Sequence, residues 1–136
     1  MAAAVAVAAV AAVASSSANG LPSYTDGYAT WPRINKKPFT STGPLSSAHV
    51  GVKNVYTSKK KVGKRYPNGT VIVKTIRPAG RQGKPSQVAV MRKQRGTWRY
   101  IEYTLSGTRY TVLAQGRLCQ SCHMAARVND YVFTRK

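Results

Sequence analysis

Between residues 51 and 114, segments of β-branched and aromatic residues alternate with Gly-bearing turns. That pattern commits most of the chain to antiparallel strands. Residues 70–76, TVIVKTI, are the clearest strand, because β-branched side chains fit a pleated, half-buried surface. Tyr66-Pro67-Asn68-Gly69 precedes it as a strong turn signal. Further strands are expected at 51–56, 87–92 (QVAVMR), 98–105 (WRYIEYTL) and 108–114, with turns at 94–97 and at Ser106-Gly107. Residues 118–128 contain neither Gly nor Pro and read as a short helix. The expected class is α+β, mainly β. It consists of an antiparallel sheet of about four to five strands with a few short helices, the last carrying Cys119-Gln120-Ser121-Cys122-His123.

A chain of 136 residues is one domain's worth. Its charge is lopsided: 22 Lys and Arg against 3 Asp and Glu give a net +19. Asp26, Glu102 and Asp130 are the only acidic side chains, which leaves little room for a paired-carboxylate hydrolase or an oxygen-ligand Ca²⁺ or Mg²⁺ site. Two cysteines exclude a disulfide-dense miniprotein, and 43% hydrophobic residues exclude a disordered polycation.

Residues 1–14 are small and apolar, too short for a bilayer span. With the serine tract behind them they read as an export signal over 1–18, cut before Asn19, although no Lys or Arg precedes the apolar run. The alternative is an Ala-rich helix. The domain is then 19–136, with 19–45 an extended N-terminal arm rich in Gly, Pro, Ser and Thr. The mature chain has no transmembrane helix, and its expected location is the periplasm or another exported site. All 22 basic residues follow residue 20, densest at 58–65 and 92–99, beside Tyr66, Trp98 and Tyr100. Basic runs with interleaved aromatics occur in single-strand binders, but the export segment and the cysteine motif weigh against nucleic acid. A solvated basic face, an acidic redox partner protein and an anionic membrane surface are the other readings.

Cys119-Gln120-Ser121-Cys122-His123 is C-x-x-C-H, the attachment signature of haem c. Positions i, i+3 and i+4 share one helix face, so two thiols and an imidazole project together. The thiols can add to the two vinyl groups of one macrocycle, and His123 then meets the iron. Zinc bound by Cys119, Cys122, His123 and His49 is a rival reading. So are a Cys119–Cys122 disulfide and a thioredoxin-like redox pair, which lacks its βαβ context. Small electron-transfer cytochromes put this motif early and take a downstream Met as second axial ligand. Here the only later Met is Met124, beside His123 on the helix. A sixth ligand would come from Met91, which also reads as core, or from His49, which also reads as a surface or hydrogen-bonded loop residue. Otherwise the iron is five-coordinate and open to a small molecule.

The motif followed by Asp130-Tyr131-Val132-Phe133-Thr134 resembles the C-terminal segment of the cytochrome P-460 family. Gly69-Thr70-Val71-Ile72-Val73-Lys74 resembles that family's Gly-Thr-Val-x-Val-Lys strand, and Gly96-Thr97-Trp98 its Gly-x-Trp element. Order and spacing agree from about Trp31 to Arg135. The resemblance implies an exported protein with one covalent haem c, a mainly antiparallel β fold, His123 as proximal iron ligand, an open distal side, and often a homodimer. It further implies that Lys74 bonds to a meso carbon of the haem. The related cytochrome c′-beta group shares the fold, lacks that bond, and binds nitric oxide and carbon monoxide behind an aromatic cap.

Strand alternation puts Lys74 on one face with Ile72 and Ile76. A lysine there either snorkels its amine to water or buries it, which favours the neutral, nucleophilic form. Hydroxylamine-oxidising members of the family carry a distal acidic residue on the strand before the Trp strand; residues 87–92 contain none. Glu102, one strand on, substitutes for it if it faces the haem, and is otherwise a salt-bridge partner on a basic surface. Three function classes follow. One is oxidation of hydroxylamine, to nitrous oxide or nitric oxide, at a lysine-linked haem. Another is non-catalytic capture of nitric oxide or carbon monoxide. The last is a basic nucleic-acid-binding or zinc protein.

Overall fold

Five strands form where β-branched and aromatic residues concentrate. The computed structural model describes residues 15–41 and 47–134. β1 spans Val52–Thr57, β2 Val71–Arg77, β3 Gln87–Gln94, β4 Thr97–Ser106 and β5 Arg109–Gln115. They lie in the order β1-β2-β3-β4-β5, each antiparallel to the next. The β3–β4 hairpin closes through Arg95-Gly96, both at positive φ (49° and 77°), the backbone that matches the twist of paired strands.

Alternate residues serve two cores. On one face Val71, Val73, Val88, Val90, Tyr103 and Tyr110 pack with Leu21. On the other, Val55, Ile72, Met91, Trp98 and Tyr100 pack with Val132 from the C-terminal segment. Fully burying one such aliphatic side chain stabilises by about 1.5–3 kcal/mol, so both faces contribute.

The N-terminal arm covers the first face. Leu21 is fully buried, and Tyr24, Tyr28 and Trp31 pack around its cluster. Short 3₁₀ turns at Ser23–Thr25 and Tyr28–Thr30 interrupt the expected extension. Farther on, Ile34 N–H bonds to Val55 O at 2.8 Å and Phe39 pairs with Lys53, carrying the arm along the β1 edge. The run 1–14 lies outside the described residues. Residues 18–20 run beside β5: Tyr110 N–H donates to Asn19 O (2.8 Å) and Arg109 to Ala18 O (2.9 Å). Gly20, at φ 88°, passes so close to Tyr110 that a Cβ would lie 2.3 Å from its carbonyl oxygen; only glycine fits there. Among the described residues no helix is long and apolar enough to cross a membrane.

The expected helix over 118–128 is broken in two. α1 spans Arg117–His123, and a 3₁₀ segment, Met124–Asn129, follows with a kink at Ala126. Asp130 and Tyr131 then turn sharply at φ 54° and 64°, which sends the chain back under the second face.

Candidate functional site

One row of side chains crosses the second face. Lys74 on β2 stands opposite Ala89 on β3, Ala89 opposite Glu102 on β4, and Glu102 opposite Ala114 on β5. A bulge at Leu113 sets the last pairing. Large and small residues alternate along this row, so two methyl groups stand where two core side chains would otherwise fill the space. Above it lies a cavity of about 580 Å³, within the range of about 300–1,000 Å³ usual for ligand and cofactor sites. α1 supplies one wall, with Cys119, Cys122 and His123. Lys74, Glu102 and His49 reach it from the sheet and the loop before β1.

His123 is held tightly. Its Nδ1–H donates to Tyr131 O at 2.7 Å, which leaves Nε2 as the free lone pair. Its ring packs against Tyr100 (4.8 Å between centroids) and Phe133 (5.2 Å). Burial, with the nearby Lys74 and His49 charges, pushes its pKa down to about 4 against the opposing pull of the Tyr131 carbonyl. The imidazole is neutral at pH 7. A buried, neutral imidazole with Nδ1 anchored to a carbonyl is a metal ligand in waiting.

The anchor depends on Asp130. Its carboxylate accepts Lys93 Nζ at 2.7 Å, Tyr66 N–H at 2.8 Å and Trp98 Nε1–H at 3.3 Å. Burial alone would raise its pKa, but these bonds hold it below the usual carboxylate value. They clasp the turn next to Tyr131 and so place the carbonyl that orients His123. In the sequence Asp130 stands out only as one of three carboxylates and as part of the family-like segment, neither of which signals its clasp role.

Lys74 does not snorkel. It is buried, and its Nζ sits 5.8 Å from the centre of the Phe133 ring. Burial and the charge of Lys53 lower its pKa to about 8, with Glu102 opposing. Glu102 is not a partner for a surface Lys or Arg either. It lines the cavity, and its Oε1 meets His49 Nδ1 at 2.9 Å. The reason is the pleat: on β4, Tyr100 and Glu102 share the face under α1. His49, a sixth-ligand candidate from sequence, is the half-buried partner of that carboxylate. Met91, the other candidate, is packed in the core with Ile72 and Tyr100.

Cys119 and Cys122 are both free thiols. Burial and the Glu102 charge raise the Cys119 pKa, which keeps the neutral thiol. Among the described residues no three His, Cys, Asp or Glu side chains gather as a metal cluster, so the four-ligand zinc arrangement is not formed. Tyr66, Trp98 and Tyr100, beside the basic runs, are core residues rather than an exposed stacking platform.

The family model for Cytochrome P460 matches residues 25–134. The chain belongs to the Cytochrome P460 family. This P460 member is therefore a haem cytochrome. A search of curated proteins finds no match. The cavity fits the group that membership implies. It offers two thiols and a neutral imidazole on one helix, and a cofactor-sized space lined from the sheet by Lys74, Glu102 and Ala114.

Proposed function

We propose that this protein is an exported cytochrome with one covalent haem c, which binds hydroxylamine in the cavity beside His123 and oxidises it to nitrous oxide or nitric oxide, the electrons leaving to a partner redox protein and the protons to water. Bound there, a haem would supply a redox-active iron with room for one small ligand. Cys119 and Cys122 would hold the macrocycle by thioethers, and His123 Nε2 would hold the iron. The observation that carries this reading is the orientation of His123, locked by the Tyr131 carbonyl next to both thiols.

The chain's own residues prepare the chemistry. Lys74, buried and with its pKa lowered to about 8, gives up its proton far more readily than a free lysine, which suits the bond to the ring that family resemblance implies. Glu102 supports the catalytic reading over gas capture. With His49 on Oε1, its Oε2 is free to accept a proton from hydroxylamine in the cavity. Phe133 and Leu118 add apolar surface to the same space. The export reading of residues 1–18 supplies the compartment in which haem c is attached.

Expression with a haem c maturation system tests the foundation. The mature chain should gain the mass of one haem and stain for haem on a denaturing gel. A bare polypeptide would overturn the proposal. Lys74→Arg should then move the reduced optical band towards that of an ordinary haem c; an unchanged band removes the cross-link. Glu102→Gln should slow hydroxylamine turnover by about 10²–10⁴-fold. If turnover is absent in the parent protein while nitric oxide binds, the gas-binding reading replaces the catalytic one.

A further inference from the structure

Asp130 is paired with Lys93 and Glu102 with His49, and Asp26 is the one remaining acidic side chain, so the cations gathered at one end of the sheet far outnumber any offsetting charge. β1, β3 and β5 all run towards that end, so the β1–β2 connection, the β3–β4 hairpin and the 3₁₀ segment after α1 meet there. Two hydrogen bonds join them. Lys61 Nζ donates to Asn129 Oδ1 at 2.6 Å, and Gly96 N–H donates to Asn68 Oδ1 at 2.7 Å. Around these joints stand Lys59, Lys60, Lys64, Arg65, Arg95 and Arg127, all exposed. Two apolar side chains are exposed among them: Val62 (75%) and Val128 (86%). Val62 follows Lys61 and Val128 precedes Asn129, so the Lys61–Asn129 bond holds both on the same rim.

We propose that this end of the sheet docks the acidic face of another protein. Charge complementarity selects the sign of the partner and speeds encounter. The paired valines select its class, because a protein interface combines an apolar centre with a polar rim. Single-stranded nucleic acid would use exposed aromatic faces, and the aromatics beside these cations are buried. A lipid surface would use a long amphipathic helix, whereas α1 has seven residues. Docking does not depend on what fills the cavity.

The probe is an acidic plant-type [2Fe–2S] ferredoxin, titrated against the full chain at low and moderate salt. Lys60→Glu with Lys64→Glu should weaken binding at least tenfold at low salt. Arg81→Glu with Lys84→Glu, the same charge change at the opposite end, should weaken it less than threefold. Val62→Ser with Val128→Ser should weaken it about threefold with no change in salt dependence. Equal losses from the two charge reversals would show only the field of the whole molecule and overturn the proposal. It would equally fall if the ferredoxin fails to bind, or if vesicles containing phosphatidylserine or a twenty-residue oligothymidylate bind this end more tightly than the ferredoxin does.

Discussion

The two faces of the sheet are built from alternate residues of the same strands, yet they do opposite things. The face under the N-terminal arm is a closed apolar layer of valines, tyrosines and Leu21. The face under α1 holds a lysine, a glutamate and two alanines in one row, and it keeps a cavity. A pleat separates the two jobs completely, because neighbouring residues cannot share a side. The packed layer can therefore hold the strands in place while the other side carries buried ionisable groups at a cost to stability. Each prediction below tests that division of labour.

The largest effect is expected from Asp130→Asn. It breaks the buried pair with Lys93 and leaves an amine without its counter-charge, which costs about 3–5 kcal/mol. Urea unfolding measures the loss. A smaller loss would mean that the α1 side contributes less to stability than the clasp suggests. Next comes Leu21→Ala in the closed layer, at about 2–5 kcal/mol by the same measurement; a value near zero would make the arm a loose cover. The third effect is a slope. The Lys74 amine titrates near 8 when folded against 10.5 when free, so between those values the unfolded chain binds the extra proton. Stability of the haem-free protein should therefore rise with pH above about 8, by about 2–3 kcal/mol by pH 10. Above that, burial has pushed Tyr100, Tyr103 and Tyr110 up to about 12, which acts in the opposite sense. Lys74→Met should remove most of the rise, leaving the part due to Lys53, whose pKa burial also lowers; an undiminished slope in this variant would assign it to other groups. The smallest stability effect belongs to Ala114→Val. It projects into open volume and should change stability by less than about 1 kcal/mol, while weakening ligand binding in the haem-loaded cavity by tenfold or more.

Most of the sheet was legible because its signals are local. Residues 70–76 announce β2 by β-branching, and the turn read at 94–97 falls at the β3–β4 hairpin. Alternation alone places Lys74 on the side of Ile72, where the structure has it. C-x-x-C-H marks α1, and family resemblance pointed to Asp130-Tyr131-Val132-Phe133. What local pattern could not show was long-range pairing. Sequence leaves Glu102 open between a distal residue and a surface salt-bridge partner until the pleat is combined with the position of α1, and leaves His49 open between an iron ligand and a loop residue until Glu102 stands 2.9 Å away. Ala89 and Ala114 carry no signal at all, since an alanine in a strand becomes informative only when its neighbours across the sheet are known. The helix was overextended because no Gly or Pro marks the kink at Ala126; the Asp130 clasp, far off in sequence from Lys93 and Tyr66, pulls the chain out of line there.

The strand order has a consequence for assembly. Every pairing in the sheet joins consecutive strands, so each can close over a short loop as soon as its partner exists, the kind of wiring that folds fast. The thiols and the imidazole come afterwards in the chain, followed by the aspartate that fastens them. A newly made molecule can thus finish its platform first and lower the last segment onto it as a hatch, leaving the pocket accessible during the interval in which a bulky flat group must be threaded in.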